Sequence, residues 1–82
     1  MNIQLFIGNL NFETSREKLM SSLQEYGPVI NLEIIKDKFT LKSKGFAHAL
    51  VEDQETADRM IHALNGEIID GRVIRVELFS DN

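Results

Sequence analysis

Ile3-Gln4-Leu5-Phe6-Ile7-Gly8 is the stretch on which the reading of this chain turns. Ile3, Leu5 and Ile7 alternate with Gln4, Phe6 and Gly8, the two-residue period of a strand with one apolar face. With the aliphatic set turned toward a core, Phe6 points the other way. A large ring on the side opposite a well-formed apolar face asks what that second side meets.

Working outward, the same two periods recur. Thr14-Ser15-Arg16-Glu17 reads as a capping box, a hydroxyl for an orphan helix amide with a glutamate reaching back. Leu19, Met20, Leu23 and Tyr26 then follow at helical spacing, and Gly27 suits the position that ends a helix. Ile30, Leu32 and Ile34 alternate with Asn31, Glu33 and Ile35, predicting a second strand with the first set inward. Residues 37–43 are a polar loop and residues 45–51 a third strand. Asp53 is placed to cap a second helix with the stripe Ala57, Met60, Ile61 and Leu64, which Asn65-Gly66 stops. After a turn at Asp70-Gly71, Ile74, Val76 and Leu78 alternate with Arg75 and Glu77 in a last strand. The order is β-α-β-β-α-β. It predicts an α+β, ferredoxin-like sandwich, a four-stranded antiparallel sheet with both helices on one face. The other face is left open.

Composition narrows what that face does. Eighty-two residues make one small domain, 1–82 with a core over about 3–79, and such a domain buries only about 60% of its unfolded surface. No apolar run approaches the roughly 20 residues of a membrane span, and the first residues carry no secretory signal. The absence of cysteine excludes disulfides and thiolate metal sites and suits a cytoplasmic protein. The net charge of −4 argues against binding nucleic acid by bulk electrostatics. Charge is unevenly spread, however: Lys36, Lys38, Lys42 and Lys44 fall within nine residues.

The third strand can be read both ways from pattern alone. Lys44, Phe46, His48 and Leu50 form one set, and Gly45, Ala47, Ala49 and Val51 the other. Hydrophobicity would bury Phe46 and Leu50. Lys44 on their face, and small residues on the opposite one that let helices approach, argue for the reverse.

Leu5-Phe6-Ile7-Gly8-Asn9-Leu10 resembles the hexamer of the RNA recognition motif family, and Lys44-Gly45-Phe46-Ala47-His48-Ala49-Leu50-Val51 resembles its octamer. The resemblance extends over about residues 3–79 and is similar to small stand-alone single-domain RNA-binding proteins of bacteria. It implies that Phe6, Phe46 and His48 present rings to RNA bases and that Lys44 meets a phosphate. It thereby turns Phe46 outward. His48 departs from the family's usual phenylalanine or tyrosine, and Leu50 is apolar where a polar residue is common.

On this reading the partner is single-stranded RNA, contacted also by Arg75 on the outer face of the last strand and by Lys42 in the loop, with Lys38 adding to the field. Phe39 either clamps a base or folds back on the domain. Phe12 and Tyr26 are expected as core or core-edge rings, and His62 as a solvent-facing side chain with no role. The alternative is a protein-interaction or self-associating version of the domain, a weak homodimer through the apolar Ile35, Phe46 and Leu50 patch. Catalysis is not expected. Acylphosphatases resemble this order of elements but need an arginine in the loop after the first strand, and here that loop is Asn9-Leu10-Asn11-Phe12. His48 and His62 lack metal-ligand spacing, so neither metal nor cofactor is expected.

Overall fold

The computed structural model describes residues 2–79. Its elements are β1 (Ile3–Gly8), α1 (Arg16–Gln24), β2 (Asn31–Lys36), β3 (Ser43–Val51), α2 (Gln54–Leu64), β4 (Ile68–Ile69), β5 (Arg72–Val73) and β6 (Arg75–Leu78). Strands β2, β3, β1 and β6 form one sheet in that order, antiparallel throughout, and β4 and β5 form a separate small hairpin. The α+β sandwich expected from the periods is the fold observed.

The core lies between one face of the sheet and the two helices. Leu5 and Ile7 of β1, Ala47, Ala49 and Val51 of β3, and Val76 of β6 are buried against Leu19 and Leu23 of α1 and Ala57, Met60 and Leu64 of α2. The inward side of β3 is made of small side chains, which leaves room for helices. Gly45 continues that side at φ +88, where the backbone disfavours a side chain. A Cβ there would stand 3.1 Å from the Phe12 ring and 3.3 Å from the Leu10 carbonyl.

Local signals fix most of the element ends. The Asp53 carboxylate accepts from the Thr56 amide at 2.8 Å and caps α2 as expected. Asn65 ends that helix, and its side chain accepts from the Val76 amide at 2.9 Å, tying the helix end to β6. On the exposed edge of the sheet, the Arg16 guanidinium donates to the Leu32 carbonyl at 2.9 Å, partly covering β2.

Four local expectations need correction. The cap of α1 is Ser15, whose hydroxyl accepts from the Lys18 amide; Thr14 is buried, and its hydroxyl donates to Asp70 at 2.8 Å. A carboxylate far along the chain has claimed the hydroxyl that the capping box would use. Ile30 precedes β2 and is exposed, because the pairing begins only at Asn31. Phe12 is 71% exposed: Leu10 takes the core position and the ring lies over Gly45 instead. The turn at Asp70-Gly71 closes the β4–β5 hairpin before β6 begins, and Leu78, at the end of the edge strand, is exposed. That hairpin is held to the β1–α1 loop by Asp70 with Thr14 and by Arg72 with Asn9, and to the first turn of α1 by Asp70 with Lys18.

Candidate nucleic-acid interface

The pleat of β1 and β3 builds the site. These are the two central strands, and on the side away from the helices their outward residues stand side by side. Register pairs Phe6 with His48, and on the flanks Glu33 of β2 with His48 and Glu77 of β6 with Phe6. One row therefore crosses the sheet as Glu33, His48, Phe6, Glu77. Phe46 stands next to it, with its ring centroid 5.7 Å from that of Phe6 and 6.3 Å from that of His48. Leu50 and Ile35 are half-buried, Leu50 on the same side of β3 and Ile35 at an irregularity in the β2–β3 pairing.

The Phe6 ring lies over Gly8, where a Cβ would come within 2.6 Å of ring carbon Cε2. A side chain at that position would push the ring off the strand. The rings are half-buried among themselves and by the sheet, so their remaining faces are turned to solvent.

Of the charged residues expected at the site, two lie on the strands that carry this face, Lys44 on β3 and Arg75 on β6. Lys44 is exposed at the start of the octamer stretch on β3. Arg75 lies opposite Gly8 across the β1–β6 pairing and forms an ion pair with Glu77 at 3.3 Å. Lys42 is exposed in the β2–β3 loop, one residue before β3 begins. That loop is ordered by Asp37, whose carboxylate accepts from the amides of Phe39 and Thr40, both at 2.9 Å. These bonds, led by that from Thr40, hold the Asp37 carboxyl below its ordinary range. Phe39 does not fold back: it is 83% exposed, with Lys38 Nζ 5.2 Å from its ring centre. His62 is exposed on α2, and Tyr26 packs against the core.

Phe79 is the residue that reading the sequence passed over. Its amide donates to the Gln4 carbonyl at 2.9 Å, which carries the β1–β6 pairing one residue past the strand's end. Its ring reaches His48 edge-on, 4.7 Å between centroids. The signal was present: Arg75 and Glu77 mark the outer face of the last strand, and the next member of that series is Phe79.

Four aromatic side chains on an open, antiparallel sheet provide flat surfaces on which bases can stack, with cations at the margin for phosphate. The family model for the RNA recognition motif matches residues 5–75. This chain belongs to the RNA recognition motif family. Cleavage stimulation factor subunit 2 from Bos taurus is 37% identical over 73 residues, 89% of this chain and 13% of that protein. The chain therefore spans only a small part of that relative's length. The structure of RNA-binding protein PG1 matches with a TM-score of 0.90 at 32% identity, covering 98% of this chain and 96% of that one. The Rna15 RRM with bound RNA (GU) matches with a TM-score of 0.82 at 28% identity, covering 96% of this chain and 83% of that one. Among the described residues no group of three or more His, Cys, Asp or Glu side chains is arranged to hold a metal ion, and no helix is long and apolar enough to cross a membrane.

Proposed function

We propose that this domain binds single-stranded RNA by stacking bases on Phe6, Phe46 and His48, with Lys44 and Arg75 meeting phosphates, Lys42 strengthening the field nearby, and Phe79 flanking the stacking row. The observation that carries this reading is the pair of rings 5.7 Å apart on the open face of the two central strands, in a chain of this family. The RNA held by the Rna15 RRM supports it. The domain acts by binding, not by catalysis. One small acidic domain offers few contacts, so affinity is on the order of micromolar, about −8 kcal/mol.

Stacking contributes roughly 1–3 kcal/mol per base. Phe6→Ala with Phe46→Ala therefore weakens binding by about 2–6 kcal/mol if the rings act independently. The fold survives, since both rings point away from the helices. A folded double variant with unchanged affinity in a fluorescence titration would falsify the reading. Self-association of the wild type through Ile35, Phe46 and Leu50, measured by sedimentation and competing with RNA, would instead make the face a protein interface.

A further inference from the structure

The row across the open face ends in a carboxylate on each side, and the two differ. Glu77 is paired with the Arg75 guanidinium at 3.3 Å. Glu33 is exposed and takes part in none of the ion pairs among the described residues, which join Lys18 to Asp70, Arg59 to Glu55 and Arg75 to Glu77. An unpaired carboxylate repels phosphate. Its place within a nucleic-acid face is unfavourable unless a base supplies it with donors.

The register says which base position can do so. Glu33 is the cross-strand partner of His48. Directly opposed residues on an antiparallel pair have Cβ atoms about 4.5–5.5 Å apart. A base stacked on the imidazole with its Watson–Crick edge turned toward β2, away from Phe79, comes within reach of Glu33. An ionised carboxylate only accepts, through two oxygens side by side. Guanine alone among the four bases has two adjacent donors, N1–H and the N2 amino group, on its Watson–Crick edge. Adenine and cytosine each set one amino group beside an acceptor nitrogen. Uracil has one N–H between two carbonyls.

Resting on the RNA-binding reading above, we propose that Glu33 is a specificity-determining residue that selects guanine for the base stacked on His48. Glu77 is not equivalent, because the Arg75 guanidinium 3.3 Å away offsets its charge and it pairs across the sheet with Phe6 rather than His48.

The test uses fluorescence anisotropy with hexauridine, with hexauridine carrying one guanosine at each internal position in turn, and with inosine in that place. Inosine keeps N1–H and lacks the amino group. A good bidentate contact discriminates by about tenfold or more. Wild type binds the best guanosine-substituted oligomer about tenfold tighter than hexauridine, with inosine between. Glu33→Gln and Glu33→Ala reduce that preference to within about twofold, yet bind hexauridine at least as tightly as wild type, because a negative charge has gone. A merely structural role for Glu33 would weaken all oligomers alike. Equal wild-type affinity for guanosine-substituted oligomers and hexauridine, or discrimination that survives in both variants, overturns the assignment. Failure of every oligomer to bind wild type overturns the RNA-binding reading itself, and this inference with it.

Discussion

The two sides of β3 differ in a way that hydrophobicity does not predict. Gly45, Ala47, Ala49 and Val51 are buried, while the larger Phe46, His48 and Leu50 are half-exposed on the other side. On β1 the arrangement is reversed in size only at the inner face, where Leu5 and Ile7 are buried and Phe6 stands outside. The buried face is governed by volume, since two helices must approach the sheet at close-packed density. The open face is governed by what will cover it. Large rings left at the surface are useful where a flat, partly apolar ligand replaces the missing layer.

Two neighbouring residues of β1, one on each face, should separate stability from binding. Leu5→Ala removes a fully buried side chain and should cost about 2–5 kcal/mol of stability. It should leave the RNA affinity of the folded fraction unchanged. Phe6→Ala should cost only about 1 kcal/mol of stability, the worth of an aromatic pair. It should nevertheless weaken RNA binding by about 1–3 kcal/mol. Denaturant unfolding and RNA titration on both variants check this crossing of effects. If each variant lost both properties in equal measure, the two faces would not be separable.

A smaller effect is expected at the edge of the open face. Phe79 meets His48 edge-on and is 38% exposed. Phe79→Ala should reduce RNA affinity by about 1 kcal/mol, the lower end of a stacking contribution, with the midpoint of thermal unfolding nearly unchanged. A large fall in stability without a change in affinity would assign Phe79 to the core instead.

The smallest effect concerns neither face but the polar staple beside them. Asp70 is held below its ordinary carboxyl value by its bond with Lys18 and then by that from Thr14. A carboxylate whose folded value is depressed contributes stability that is complete above the unfolded value of about 3.9 and is lost as pH falls through the folded value. Wild type should therefore be more stable than Asp70→Asn at pH 6, and the gap should close as pH falls below about 4. Thermal unfolding across that range checks the sign: a gap that widens toward acid would contradict it.

Much of this was legible in the sequence, for reasons tied to particular residues. The alternation in residues 3–8 and the Asp53 cap are local signals, and local signals survive folding when nothing distant competes. Thr14 misled because Asp70, 56 residues away, takes its hydroxyl. Phe12 misled because a ring in a loop has no period to reveal its direction. The β4–β5 hairpin has strands of two residues each, too short to leave an alternation. The direction of β3 needed the family resemblance, since its own pattern admits both readings. Phe79 lay on a continued period but just beyond the expected end of the strand.

If RNA lies on the open face, it crosses β1 and β3 over the aromatic row. Chemical-shift mapping with a pool of random single-stranded RNA hexamers reads that placement residue by residue. Shifts should concentrate at Phe6, Phe46, His48, Lys44, Arg75 and Phe79, with the buried and outer residues of α1 and α2 unmoved. Shifts concentrated on the helices, with the aromatic row unaffected, would contradict it.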